Sequence, residues 1–177
     1  MLAACTGIRQ DAFLKDLKEN PETGRVIEGV PFFPDEGLMC GPASVAGVIS
    51  FWGMETTIEE AKKEVFNAGI KGALPIDLFL YAKKKGLDAA YVRGGIPELK
   101  RGISMGIPLI LFVDTGFFIY HKRHFMVAVG YDDGLKSVLV NSGGQKGLVM
   151  GYEDLVKMWG KTGFSMLIVK PKGLNGK

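Results

Sequence analysis

The residues best suited to covalent chemistry are one cysteine and one histidine that lie far apart in the sequence. Cys40 stands in the stretch PDEGLMCGPAS, directly before Gly41, Pro42 and an apolar run. Proline just inside a helix start is typical of the first turn, so the sequence predicts Cys40 at a helix N-terminus. The unpaired amides and the dipole there favour the thiolate, and we expect a lowered pKa for Cys40. A buried cysteine that only packs is the alternative.

A nucleophilic cysteine needs a base, and a group that orients the base. His124 opens a predicted strand, HFMVAVGYD, and a turn at 132–134 leads into a second strand, SVLVN. A tight hairpin would set Asn141 opposite His124 to within two residues. We therefore predict a Cys-His-Asn arrangement of Cys40, His124 and Asn141. The plainer alternative makes His124 a polar strand end and Asn141 a turn former.

A metal site has little support in the sequence. His121 and His124 could form a pair of ligands, but no third ligand stands near them. The two cysteines, Cys5 and Cys40, are too far apart for zinc-type or iron–sulfur spacing. We expect no metal and no organic cofactor.

Composition and patterning indicate one globular α+β domain. The 177 residues are 47% hydrophobic and 23% charged, which is enough to form a core. The net charge of +3 is small and its basic residues are scattered, so we expect no nucleic-acid partner. The order of elements predicts N-terminal helices packed on a C-terminal antiparallel sheet. Predicted helices span 41–52, 57–68, 75–86, 97–105 and 152–159. Predicted strands span 88–92, 107–113, 124–131, 137–141, 147–150 and 164–170.

The N-terminal segment, residues 1–29, is interpreted as a tether with a short helix at 8–18, and 30–177 as the domain. Leu2-Ala3-Ala4-Cys5 has the form of a bacterial lipobox, in which the cysteine becomes lipidated after cleavage. The charged and apolar segments that should precede it are missing, so either the sequence was trimmed upstream or the match is chance. With Cys5 lipidated, the protein would be attached to a membrane. We expect a bacterial cell-envelope location, membrane-anchored or periplasmic, in preference to the cytoplasm.

These motifs together resemble papain-like cysteine peptidases of the bacteriocin-processing (double-glycine leader peptidase) type, as found in bacterial lipoproteins. The resemblance implies a papain-like fold with Cys40 as nucleophile, His124 as base and Asn141 as orienting residue. It covers residues 30–53, 123–133 and 140–169.

Three residues are predicted to border the cleft: Gly41, Phe118 and Trp159. Trp159 is expected to pack in the core, and the resemblance also makes it a candidate shield for the His–Asn pair. Phe118 belongs to the apolar stretch FFIY at 117–120. That stretch could line the cleft, contact a partner, or fold under as core.

One position departs from the family pattern. Pro34-Asp35 stands where the family carries Pro-Gln, whose amide helps to form the oxyanion hole. An ionised Asp35 cannot donate a hydrogen bond, and it would repel the oxyanion and raise the thiol pKa. Gln145 is a weak substitute in a later loop. An Asp35 aimed into the site favours binding alone, and one turned outward favours catalysis.

The expected function is hydrolysis of peptide bonds by this triad, on a peptide or protein substrate. An envelope or secretion assembly is a further expected partner. The alternative is a catalytically weak or inactive module that binds a peptide or partner protein. Acyl transfer to an acceptor other than water would use the same groups.

Overall fold

The architecture comes from a computed structural model that describes residues 8–35, 37–117 and 119–174. Within these ranges the chain has six helices and seven strands. The helices are α1 (Gln10–Glu19), α2 (Cys40–Phe51), α3 (Ile58–Val65), α4 (Pro75–Lys84), α5 (Ile96–Ser104) and α6 (Tyr152–Gly160). The strands are β1 (Gly24–Val26), β2 (Asp88–Arg93), β3 (Leu109–Asp114), β4 (Arg123–Asp132), β5 (Ser137–Ser142), β6 (Gln145–Gly151) and β7 (Ser165–Lys170).

The strands form one sheet, in which every pairing between the described strands is antiparallel. Its order is β2-β7-β3-β4-β5-β6, and β1 pairs with β4. Helix α2 packs on β3 and β4, while α6 packs on β3 and β6. The predicted α+β arrangement of helices on an antiparallel sheet is confirmed.

Helix α2 is the central helix, and its sequence explains why. Residues 41–49 are all buried, because the apolar side chains of this segment surround the helix instead of forming one stripe. A helix that is apolar on all sides is stable only inside the core. Its first residue is Cys40, so the buried body of α2 fixes the position of that thiol.

Residues 8–29 are packed on the domain, in contrast to the tether interpretation of this segment. The α1 residue Phe13 is fully buried, and β1 pairs with residues 130–132 of β4. The amide of Ile27 donates to the carbonyl of Val129 at 2.7 Å. β1 has three residues, which is too short for an alternating pattern to be recognised in the sequence. Cys5 and its lipobox lie outside the described residues.

No helix in the described ranges combines the length and apolar character needed to cross a membrane.

The hairpin of β4 and β5 determines which residue faces which across the site. Four residues, 133–136, connect the strands, and the register shifts at a bulge between Ala128 and Gly130. Asn141 consequently pairs with Val127, and His124 pairs with Val113 of β3. The residue opposite Asn141 is thus three positions from His124, whereas the predicted tight hairpin allowed a difference of at most two.

Candidate active site

Cys40 lies at the N-terminus of α2, as the Pro42 signal predicts, but its pKa moves in the direction opposite to the expected one. Burial raises the pKa of the Cys40 thiol, and the charge of Asp35 raises it further. Hydrogen bonds from the backbone of Phe125 and from amides of the first turn lower the pKa of Cys40, but by less than burial and Asp35 raise it. Cys40 therefore rests as a neutral thiol at neutral pH.

His124 lies at the start of β4, beside Cys40. Its Nε2 is 2.8 Å from the hydroxyl oxygen of Ser142, so Nδ1 is the nitrogen left for the thiol. Burial lowers the pKa of His124, which the nearby charge of Asp35 opposes and that of Lys122 reinforces. Since the imidazole is held neutral, it can accept a proton from Cys40.

Asn141 is buried, and its side chain is hydrogen-bonded to the backbone. Its Oδ1 accepts a hydrogen bond from the amide of Gly147 at 3.0 Å. Successive side chains of a strand point to opposite faces of the sheet. Asn141 pairs with Val127, three residues after His124, so the side chains of Asn141 and His124 point to opposite faces. Ser142, one position later, points to the same face as His124 and makes the contact that was predicted for Asn141.

Asp35 is aimed into the site. Its Oδ1 accepts a hydrogen bond from the amide of Met39 at 2.7 Å, and its own amide donates to the carbonyl of Gly143 at 2.9 Å. The Asp35 carboxylate, the Cys40 sulfur and an His124 ring nitrogen all lie within 4.8 Å of one another. The carboxylate thus lies close to both the Cys40 sulfur and His124.

Two cavities border Cys40. The larger, which we call the Cys40 cleft, has a volume of about 550 Å³ and also reaches His124. It is lined by Cys40, Phe112 and residues 37–38, 70–75 and 121–125. The smaller measures about 20 Å³, space for one water molecule, and lies among Asp35, Asn141 and Ser142. Of these two cavities, the Cys40 cleft is the one with room for a ligand of peptide size.

Gly41 lies under the wall of the Cys40 cleft. A Cβ at this position would come within 2.6 Å of the Ala73 Cβ. The absence of a side chain thus allows the loop with Ala73 to close over the start of α2. Gly41 is buried and shapes the cleft from beneath.

The connection between β3 and β4 carries exposed apolar side chains next to the cleft. Phe117, Ile119 and Tyr120 are 75%, 84% and 80% exposed. Of the three interpretations of FFIY, folding under as core is therefore wrong for these residues. Phe118 lies outside the described residues.

A buried carboxylate, Asp114, holds this connection in place. Its Oδ1 accepts hydrogen bonds from the amides of Gly116 and Lys122, and its Oδ2 is 2.6 Å from Nδ1 of His121. Burial raises the pKa of Asp114, but these hydrogen bonds outweigh burial and leave it lowered. Asp114 therefore stays ionised and ties both ends of the connection together.

Trp159 is part of the core and not of the cleft. It is fully buried on α6, its Nε1 donates to the carbonyl of Ser165 at 2.8 Å, and its ring meets Phe164 edge-on. It lines neither cavity that borders Cys40. The part of the prediction that placed Trp159 in the core is confirmed, and it does not form the cleft wall.

Comparison with known proteins places this arrangement in a family. A family model described as "Peptidase_C39 like family" matches residues 27–166. The chain therefore belongs to the C39-like peptidase family, whose fold here brings Cys40 and His124 together. A comparison with curated proteins found no significant match.

Solved structures share the fold at low sequence identity. A double glycine motif protease from an AMS/PCAT transporter, crystallised with its leader peptide, has a TM-score of 0.65 at 20% identity, covering 84% of this chain and 99% of that one. The peptidase domain of Streptococcus ComA gives 0.67 at 19%, covering 81% and 100%. A C39-like protein from Bacillus anthracis gives 0.68 at 17%, covering 84% and 98%. The expected papain-like cysteine peptidase fold is confirmed.

Proposed function

We propose that the protein hydrolyses peptide bonds with Cys40 as nucleophile and His124 as general base. The observation that carries this is the meeting of the Cys40 sulfur and an His124 ring nitrogen, within 4.8 Å, at the Cys40 cleft. The opposite ring nitrogen is fixed by Ser142. A nucleophile, a base and an orienting group are the three parts that covalent acyl transfer needs.

The neutral resting state sets the order of the steps. Nδ1 of His124 takes the thiol proton as sulfur bonds to the substrate carbonyl carbon. The imidazolium then gives this proton to the leaving amine, and water releases the acyl group from sulfur. Ser142 stabilises the imidazolium by accepting a hydrogen bond from its Nε2–H.

A peptide is the substrate class that fits the Cys40 cleft. Its volume of about 550 Å³ suits a short peptide segment, and Leu38, Ile70 and Leu74 give it an apolar wall. The double glycine motif protease of the same fold was crystallised with a leader peptide, which supports a peptide ligand here. The exposed side chains of Phe117, Ile119 and Tyr120 extend the apolar surface beyond the cleft.

Asp35 favours a second candidate function, in which the cleft binds a peptide and cleaves it slowly or not at all. Its carboxylate lies within 4.8 Å of the Cys40 sulfur, and a negative charge close to the developing oxyanion raises the energy of the transition state. It also raises the pKa of Cys40. A site with a Cys–His pair and this carboxylate is therefore expected to be a slow peptidase.

The test compares peptide hydrolysis by the natural protein with that of three variants. Asp35→Asn keeps an oxygen acceptor for the Met39 amide and adds an N–H donor, whereas Asp35→Ala only removes the charge. We expect hydrolysis to rise by roughly 100- to 1000-fold in Asp35→Asn, because that is what one oxyanion donor typically contributes. We expect a smaller rise in Asp35→Ala, and no hydrolysis in Cys40→Ala.

The substrate for this test is a peptide mixture, with products identified by mass spectrometry. Cleavage by both the natural protein and Asp35→Asn supports the peptidase. Peptides retained by Cys40→Ala, with no products from the natural protein or from Asp35→Asn, would favour the binding module. Products joined to an amine acceptor would indicate acyl transfer.

We also propose a location at the bacterial cell envelope, through lipidation of Cys5. The support is the lipobox pattern Leu2-Ala3-Ala4-Cys5. Cells expressing the gene are labelled with an alkyne fatty acid and fractionated. We expect label on the membrane-associated protein and none on Cys5→Ser, and an unlabelled, soluble natural protein would refute this.

A further inference from the structure

Asp35, whose charge is unfavourable for peptide hydrolysis, also completes a group of three side chains with metal-ligand atoms. Among the described residues, one group of three side chains offers metal-ligand atoms close together: Asp35, Cys40 and His124. In the sequence, no third ligand stands near the pair His121 and His124. The fold brings together donors from three separate stretches, the loop before α2, its first residue and the start of β4.

We propose that Asp35, Cys40 and His124 form a binding site for one Zn²⁺ ion. Their donor atoms are a sulfur, a ring nitrogen and a carboxylate oxygen, all of which zinc accepts. A thiolate and a carboxylate together supply the negative charge that neutralises a divalent cation. The mixed set excludes Ca²⁺ and Mg²⁺, which prefer oxygen ligands alone.

The spacing suits a tetrahedral ion after a small adjustment. The three donor atoms lie within 4.8 Å of one another. In a tetrahedral site with zinc bonds of about 2.0–2.3 Å, neighbouring donors are roughly 3.3–3.8 Å apart. A pair of donors at the 4.8 Å limit would have to approach by about 1 Å to reach this spacing.

Two of the three ligands are already oriented by other groups, as ligands in metal sites usually are. Nε2 of His124 is hydrogen-bonded to Ser142, which leaves Nδ1 for the ion. Oδ1 of Asp35 accepts from the Met39 amide, so the second carboxylate oxygen can turn to the ion.

Three protein ligands leave a fourth position, which opens into the Cys40 cleft because Cys40 and His124 line it. A water molecule or a carboxylate of a bound peptide would fill this position. The bound ion would occupy the lone pairs of the Cys40 sulfur and the Nδ1 of His124. The zinc form would then be unable to attack a carbonyl carbon, and its removal would restore a free thiol.

The first experiment measures metal binding directly, and so does not depend on the proposed peptidase activity. Metal-free protein in a Cys5→Ser background is titrated with Co²⁺, which reports thiolate ligation as a charge-transfer band and tetrahedral geometry as strong visible bands. We expect one Co²⁺ per chain, displaced by one Zn²⁺. His121→Ala is the matched control, since it removes the chain's other imidazole and should leave the spectrum unchanged.

The variants decide whether the three residues act as one site. Cys40→Ala should abolish the charge-transfer band, and both His124→Ala and Asp35→Asn should weaken binding at least tenfold. Zn²⁺ should also protect Cys40 from iodoacetamide, and a chelator should reverse the protection. Absence of the band in the natural protein, or equal affinity in Asp35→Asn, would overturn the proposal. The second result would indicate adventitious binding by the Cys–His pair.

Discussion

Replacing Ser142 by alanine tests which residue orients His124. Ser142→Ala removes the oxygen that lies 2.8 Å from Nε2 of His124 and leaves the backbone pairing of β5 intact. The matched change is Asn141→Ala, which removes the acceptor of the Gly147 amide instead. We expect Ser142→Ala to slow the reaction of Cys40, and Asn141→Ala to lower the stability of the fold.

The magnitudes follow from the charges of the groups involved. When Cys40 gives up its proton, Nε2–H of His124 belongs to an imidazolium, and hydrogen bonds to charged groups contribute about 1.5–3 kcal/mol. Ser142→Ala should therefore slow alkylation of Cys40 roughly 10- to 100-fold. Asn141→Ala leaves the buried Gly147 amide unpaired, and should lower the free energy of unfolding by about 1–3 kcal/mol.

Two assays separate the effects. The rate of Cys40 alkylation by iodoacetamide is followed by mass spectrometry, and the free energy of unfolding by urea denaturation. Ser142→Thr keeps the hydroxyl and should react like the natural protein. The reasoning is refuted if Asn141→Ala slows alkylation about 100-fold at unchanged stability while Ser142→Ala has no effect, because Asn141 would then orient the histidine.

Two further changes probe the scaffold. Asp132 is fully buried with an unpaired Oδ2, and burial, followed by the charge of Asp132, raises the pKa of Asp16 on α1. A carboxyl group whose pKa is raised by folding destabilises the folded state at pH values above its ordinary pKa of 3.8. Asp16→Asn should therefore raise the melting temperature at pH 7 but not below pH 3.8. An equal rise at both pH values would contradict this. Gly41→Ala should cost about 1–3 kcal/mol in urea denaturation, because its Cβ would overlap that of Ala73, and an unchanged midpoint would show that the loop yields freely.

Much of the fold could be predicted because local signals agree with it. Pro42 and the apolar run after Cys40 predicted α2, and Thr57 caps α3 by accepting the Glu60 amide at 3.1 Å. Helices α4 and α5 begin at or just before the prolines of their first turns, Pro75 and Pro97. Each of these signals lies within a few residues of the element that it specifies.

The details of the site depend on features without a local signal. One bulge and a four-residue turn decide that Ser142 and not Asn141 meets His124, and neither can be recognised in the letters of β4 and β5. The inward direction of Asp35 follows from its bond to the Met39 amide. The Cys40 pKa likewise depends on burial and on Asp35, which a helix-dipole argument leaves out.

The place of β7 in the sheet has a consequence for how the chain folds during synthesis. β7 is the last described strand in the sequence, yet it lies between β2 and β3. Until it emerges from the ribosome, β2 has no partner among the described strands, and β3 lacks its β7 neighbour. The two sides of the sheet are thus joined only after β7 has left the ribosome, and pairing over such long sequence separations is slow. The nascent domain should remain open, and a substrate for chaperones, until β7 has been made.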